Sequence, residues 1–245
     1  MEDEIQLYRA LSKLGYASRT QALSLIKNGE IRIHNKPCTD PEMPVSLTHT
    51  KIFHHDHLIQ KEDLLVLLLY KPRGIITSRK DEQNRPTVYT LLPDEFQKLH
   101  CVGRLDFATS GLLLLTNNTR LSSWLTDPEN GIKRVYLVTV RGLVTDEKVS
   151  RMINGISDEN DILKSDDVVI RKSSHRETHL IITLTEGKNR EIRRMCKSTG
   201  HEVTRLKRVS YGPLTLGNLA PGGFRSISIE ELAKVFPDAY SVIKP

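Results

Sequence analysis

Asp106 stands in the run Gly103-Arg104-Leu105-Asp106-Phe107-Ala108-Thr109-Ser110-Gly111, directly ahead of Leu112-Leu113-Leu114-Leu115-Thr116. The four leucines, bounded by Gly111 and by Asn117-Asn118, have the pattern of a short strand buried on both faces; periodicity alone leaves a helix open. A carboxylate placed just before such a core must be paired with a cation or exposed in a cleft, because an unpaired buried charge is too costly to keep. Its partner must be sought elsewhere in the chain.

The second chemistry-bearing stretch begins at Thr185-Glu186-Gly187-Lys188-Asn189, which ends a strand and opens a helix. In that helix Ile192, Met195, Cys196 and Thr199 make an apolar face, Arg190, Arg193, Arg194 and Lys197 make a basic one, and Gly200 closes it. Four cations on one stripe, without compensating acids, repel one another; a phosphate backbone would relieve that repulsion. The basic character continues through Arg205, Lys207 and Arg208.

The formal net charge of +6 is spread unevenly over the 245 residues. Residues 1–60 carry seven Lys/Arg against seven Asp/Glu, whereas Arg171 to Tyr211 carries eleven against four. A polyanion site therefore belongs to the C-terminal half. Cys38, Cys101 and Cys196 are far apart and form no CxxC pair, which argues against a disulfide framework or a cysteine zinc site. The chain shows no apolar stretch of membrane-span length, and Met1-Glu2-Asp3-Glu4 is unlike a targeting peptide, so a cytoplasmic location is expected. His54, His55 and His57 with Asp56 invite a metal reading. Adjacent residues on an extended segment point to opposite faces, however, so no metal is expected there.

The elements that must position these groups can be read in order. Leu7, Ala10, Leu11 and Leu14 form the stripe of a short helix ending at Gly15. Ser18-Arg19-Thr20-Gln21 has the form of a capping box, Ala22, Leu25 and Ile26 supply a buried face, and Gly29 closes a second helix. Ile31 and Ile33 then alternate as a strand before the turn Asn35-Lys36. His57 to Asp63 is polar and is expected to link two domains, 1–60 and 61–245. Leu64 to Tyr70 is a buried strand that turns out at Lys71-Pro72-Arg73-Gly74, and Arg85-Pro86-Thr87 leads into a short helix stopping at Pro93. Leu121, Trp124 and Leu125 have helical spacing up to Asp127-Pro128, with Trp124 expected in the core. Arg134 to Val140 alternates as a strand, placing Tyr136, Val138 and Val140 on one face. Asp146 to Ile153 is expected as a helix, and Val168 to Ile170 and Leu180 to Leu184 as strands.

Two resemblances follow from these residues. Two helices, Ala17-Ser18-Arg19 opening the second, and a strand after Gly29 resemble the S4 RNA-binding module, although Thr20 stands where that module has a second basic residue and His34-Asn35 where it has Asn-Gly. Lys71-Pro72-Arg73-Gly74, Gly103-Arg104-Leu105-Asp106, Lys133-Arg134-Val135-Tyr136-Leu137-Val138 and Glu186-Gly187-Lys188-Asn189-Arg190-Glu191-Ile192-Arg193-Arg194-Met195 stand in the order and spacing seen in pseudouridine synthases. The chain resembles the RsuA/RluB branch, which joins an S4 module to the catalytic domain. Four motifs in order are far more specific than any one alone.

The resemblance implies an α+β fold, with a small helical N-terminal module and a catalytic domain on a long, mixed, mostly antiparallel sheet. It implies conversion of a uridine to pseudouridine in ribosomal RNA, with the large-subunit RNA favoured and the small-subunit RNA open. Asp106 would be the catalytic carboxylate, acting as nucleophile or as proton acceptor at the sugar. Arg193 would pair with it and lower its pKa. Tyr136 would stack on the flipped uracil or aid proton removal, and Leu206 would cover the other side of the base. Arg104 would support the loop or touch a phosphate, and Arg190, Arg194 and Lys197 would meet the RNA backbone. No cofactor is implied, because an isomerisation exchanges no electrons. The expected partner is ribosomal RNA, with no membrane, and the expected state is a monomer. The alternative is a non-catalytic RNA-binding or ribosome-assembly factor of the same fold, against which the presence of Asp106, Tyr136 and Arg193 together counts.

Overall fold

A computed structural model describes residues 4–60, 63–158 and 161–243. Its contacts divide the chain into two compact units, Met1–Leu64 and Leu65–Pro245.

The N-terminal unit runs β1 (Ile5–Gln6), α1 (Leu7–Lys13), α2 (Arg19–Lys27), β2 (Ile31–Ile33), β3 (Lys36–Pro37), β4 (Pro44–Val45), β5 (Ile52–His54) and β6 (His57–Ile59). The helical stripe behaves as its spacing requires: Leu7, Ala10, Leu11 and Leu14 are buried with Ala22, Ile26, Ile31, Ile33 and Ile52. The capping box is complete. Gln21 N–H donates to Ser18 Oγ at 3.3 Å, and Ser18 N–H donates to Gln21 Oε1 at 3.0 Å. Strands β3, β2, β5 and β6 make a four-stranded antiparallel sheet, and β1 pairs with β4. The stretch expected to be a linker is thus structured as far as Ile59, because His57, Leu58 and Ile59 pair with His54, Phe53 and Ile52. Lys61 and Glu62, inside that stretch, lie outside the described residues.

The second unit contains β7 (Val66–Lys71), β8 (His100–Val102), β9 (Ser110–Thr116), α3 (Thr119–Thr126), β10 (Arg134–Arg141), α4 (Asp146–Asn154), β11 (Ile156–Asp158) and β12 (Asp161–Leu163). It continues through β13 (Asp167–Ser173), β14 (Glu177–Leu184), α5 (Glu191–Ser198), β15 (Val203–Tyr211), β16 (Leu214–Thr215), β17 (Phe224–Ser226), α6 (Ile229–Val235) and α7 (Pro237–Ile243). The central sheet has the order β13-β14-β10-β15-β9-β7-β17, with β16 on β15 and β8 on β9. Its one parallel pairing among the described strands, β15 with β9, joins two antiparallel halves. The α+β expectation and the mixed, mostly antiparallel sheet are both met.

Leu112 to Leu115 form the middle of β9 and are fully buried, as are Leu67, Leu68 and Leu69 on β7, so both runs are sheathed on two faces. The short helix before Pro93 is a single 3-10 turn, Val88–Leu91. Trp124 departs from expectation. Leu121 and Leu125 take the inner side of α3, while Trp124 is only partly buried, edge-on to Phe236 at 6.3 Å. It lines a shallow surface depression of about 430 Å³ with Arg120 and Asn130. Among the described residues, no helix is long and apolar enough to cross a membrane.

Candidate active site

The loop from Leu105 to Thr109 is held by its own carbonyls. Thr77 Oγ1 donates to Leu105 O at 2.8 Å, Gly74 N–H to Phe107 O at 2.8 Å, and Arg193 Nη2 to Ala108 O at 3.2 Å. Lys71 Nζ reaches Asp106 O at 3.1 Å, Thr109 O at 2.8 Å and Pro72 O at 3.1 Å. Every carbonyl of the loop therefore has a donor, and the Asp106 backbone is fixed before any substrate arrives.

Lys71 makes this possible from the end of β7, where it is fully buried. Burial pushes its ammonium down to about 8, opposed by the charge of Asp106. Three carbonyl acceptors call for three protons, which only the ammonium form carries. Sequence reasoning used Lys71 only as part of a motif. The available signal was a cation joined directly to the apolar run Val66-Leu67-Leu68-Leu69, where an unpaired charge would not be tolerated.

The Asp106 side chain is 35% exposed and faces two guanidinium groups. Arg190 Nη1 lies 3.6 Å from Asp106 Oδ2, and Arg193 Nε lies 3.9 Å from the same oxygen. Arg193 is held from behind: Nη1 donates to Val203 O at 3.2 Å while Nη2 takes Ala108 O. Its Nε has no hydrogen-bond partner among the described residues and is left facing the carboxylate. Burial, then the charge of Arg190, press Arg193 below the ordinary guanidinium value, and Asp106 opposes them.

Arg190 arrives by a different route. It caps α5 in the left-handed region at φ +48°, a conformation unfavourable for a residue with a Cβ. Its side chain thereby leaves the helix stripe and meets Asp106, so its first neighbour is a carboxylate where a phosphate was expected.

The rest of the basic stripe also departs from the uniform face read in the sequence. Arg194 is already paired: Nε donates to Asp158 Oδ2 at 2.6 Å and Nη1 to Asp161 Oδ2 at 2.9 Å. These aspartates lie on the hairpin of β11 and β12, an element the sequence reading passed over, and they neutralise the repulsion assigned to phosphate. Of the four cations, Lys197 alone is exposed without an acid beside it among the described residues.

Tyr136 and Leu206 are buried on neighbouring strands. Tyr136 of β10 stands opposite Arg208 of β15, and Arg208 stands opposite Gly111 of β9. With strands about 4.8 Å apart, this row carries the sheet roughly 10 Å from Tyr136 to the strand that Asp106 precedes. Leu206 is opposite Val138, the next residue on the Tyr136 face of β10. Arg104 is exposed beside the loop. Phe107, next to Asp106, is an exposed aromatic with the Arg85 guanidinium 5.9 Å from its ring centroid, and it had no role in the sequence reading.

A partly exposed carboxylate held on a pinned loop among Lys71, Arg190 and Arg193 suits an anionic substrate approached at one fixed point. The family profile of RNA pseudouridylate synthases matches residues 65–198, which hold Asp106, Tyr136 and the whole of the α5 cluster. The chain belongs to the RNA pseudouridylate synthase family. An S4 domain profile matches residues 7–50. The ribosomal large subunit pseudouridine synthase B of Bacillus subtilis is 33% identical over 233 residues, covering 94% of this chain and 95% of that protein. The Vibrio cholerae protein of the same name is 32% identical over 251 residues, covering 97% of this chain and 78% of that one. A crystal structure of a pseudouridylate synthase superposes with a TM-score of 0.64 at 26% identity, covering 94% of this chain and 99% of its own. As a pseudouridine synthase the protein is an isomerase, joined here to an S4 module as the RsuA/RluB resemblance implied.

Proposed function

We propose that the protein converts a uridine of ribosomal RNA, and of the large-subunit RNA in particular, to pseudouridine. The names of the Bacillus subtilis and Vibrio cholerae relatives support that target. The observation that carries the chemistry is the Asp106 carboxylate, fixed through the carbonyls of its loop and flanked by Arg190 and Arg193.

The reaction breaks the N1–C1′ bond, turns the uracil and joins C5 to C1′; the C5–H bond then breaks and N1 gains a proton, so the atoms balance without a cofactor. Asp106 serves at the sugar, as nucleophile at C1′ or as acceptor of a sugar proton. Arg193, already committed to Ala108 O and Val203 O, keeps the carboxylate aimed. Tyr136 and Leu206 border the flipped base, with the phenol available for proton removal. Arg104, Arg190 and Lys197 meet the RNA strand outside it. Arg194 is removed from that group, because Asp158 and Asp161 already occupy its donors. Residues 1–60, whose charges balance, orient the RNA more than they hold it, and residues 61–245 do the chemistry as a monomer.

Pseudouridine mapping of ribosomal RNA from cells with and without the gene tests the target, and complementation with Asp106→Asn tests the site. A large-subunit position should lose its modification without the gene. It should regain it with the natural protein, and Asp106→Asn should fold and bind RNA normally yet leave it unmodified, a loss of at least ~10³-fold in turnover. Restoration by Asp106→Asn would refute the role of Asp106, and a loss confined to small-subunit RNA would refute the target.

A further inference from the structure

The N-terminal unit carries a second constellation that RNA isomerisation does not use. Glu30, just beyond α2, meets both histidines at the end of β5. His54 Nε2 lies 3.2 Å from Glu30 Oε2, and His55 Nε2 lies 4.0 Å from the same oxygen. The sequence argument against a metal here assumed that His54 and His55 alternate across a strand. They do not, because His55 takes φ +50°, which ends the alternation and brings the two rings to 4.3 Å between centroids. The backbone fixes this arrangement: His55 N–H donates to Glu30 O at 3.3 Å, and His54 pairs with Ile31, the residue after Glu30.

We propose that Glu30, His54 and His55 form a binding site for a divalent transition-metal ion of the zinc class. One ligand atom from each of the three lies within 4.8 Å of the others. Tetrahedral zinc, with bonds of about 2.0–2.1 Å, sets its ligand atoms roughly 3.3 Å apart, so the 3.2 Å pair already fits and the 4.0 Å pair needs a small closure of the exposed His55 ring. Two imidazoles and one carboxylate select zinc, cobalt or nickel over calcium or magnesium, and leave a fourth position for water.

The surrounding groups are those that orient metal ligands. Tyr16 Oη lies 2.6 Å from His54 Nδ1, which fixes that ring with Nε2 towards Glu30. The other carboxylate oxygen of Glu30 accepts from Asn28 Nδ2 at 3.0 Å, leaving Oε2 for the ion. A plain surface ion pair between Glu30 and His54 requires neither the convergence of His55 nor the Tyr16 contact.

The full-length protein, freed of metal and titrated with Zn2+ against a chromophoric chelator and with Co2+ in the visible region, tests the site. One equivalent should bind at about micromolar Kd, and the Co2+ complex should show the strong absorption of a four-coordinate N/O site. His55→Ala and Glu30→Gln should each weaken binding by at least ~10-fold, Tyr16→Phe by about 10-fold, and His34→Ala not at all. His55 is the decisive position because its side chain is 66% exposed, so its truncation does not threaten the fold, and circular dichroism verifies this. No equivalent tighter than millimolar, or binding unchanged in both His55→Ala and Glu30→Gln, overturns the proposal.

Discussion

Arg190 stands nearer to the Asp106 carboxylate than Arg193 does, 3.6 Å against 3.9 Å, yet the two are held differently. Arg193 is 13% exposed with its fork committed to two backbone carbonyls, while Arg190 is 54% exposed and meets the carboxylate from the solvent side. Buried and doubly anchored, Arg193 is the positioning cation. Arg190 can shift from the carboxylate to an incoming phosphate. Arg193→Lys, which keeps the charge but loses the fork, should lower kcat by ~10²-fold with little change in RNA affinity. Arg190→Ala should instead weaken binding and reduce the salt slope by about one unit, with a smaller fall in kcat. Single-turnover rates and salt-dependent filter binding separate the two, and equal effects on both readouts would show that the arginines share one role.

Arg194 should contribute to folding and not to RNA binding. Removing it leaves Asp158 and Asp161 facing each other without their shared cation. Arg194→Ala is therefore expected to lower stability while leaving the salt slope of RNA binding unchanged. Urea unfolding and the same binding assay check both halves, and a slope reduced by one unit would return Arg194 to the RNA face.

Lys71→Met keeps the apolar stem and removes the donors to three carbonyls, of Thr109 in the interior and of Pro72 and Asp106 partly buried. A loss of roughly 3–5 kcal/mol in unfolding free energy is expected, with activity lost even where the variant still folds. The pH dependence has a definite sign. The pKa of Lys71 is about 8 in the fold against 10.5 for an ordinary lysine, so between those values the unfolded chain holds more protons than the folded one. The contribution of this group to stability therefore rises with pH across that window. Activity should fall over the same range, since a neutral amine cannot serve all three carbonyls. A difference between natural protein and Lys71→Met that stays constant from pH 7 to about pH 10 would refute this.

At Gly111 a side chain has nowhere to go. A Cβ there would come within 2.1 Å of Arg208 O and 2.6 Å of Arg208 N, and φ is +116°. Gly111→Ala should therefore push β9 away from β15 and cost more than ~3 kcal/mol, well beyond the usual penalty for alanine at a permissive glycine. Thermal unfolding would reveal it, and a shift below about 4 °C would show that the strands tolerate the separation.

Much of this was legible in the chain because it depends on local pattern. The Ser18–Gln21 box, the stripe from Leu7 to Leu14 and the leucines of β9 are each set by neighbours within a few residues, and each appears in the structure as written. Asp106 and Arg193 were paired through a family motif. No periodicity could have joined positions so far apart. What escaped the reading depends on partners distant in sequence or on one torsion angle. The pairing of Arg194 with Asp158 and Asp161 escaped because those aspartates lie on a hairpin too short to announce itself. The left-handed turns at His55 and Arg190 redirect side chains that alternation and helical spacing had placed elsewhere.

The parallel pairing of β15 with β9 also bears on how the molecule assembles. It spans only Lys207 with Ser110 and Arg208 with Gly111, residues almost a hundred positions apart in the chain. The antiparallel pairs β13–β14 and β14–β10 on one side, and β8–β9 on the other, close much shorter loops. Loop-closure entropy favours those contacts first and leaves the long-range seam for late in folding. Asp106 enters from one side of the seam and Arg193 from the other, so the ion pair forms only when the halves dock. Catalytic competence should thus be among the last properties a refolding chain acquires, and a half-folded chain would present the basic groups of the cleft without the chemistry.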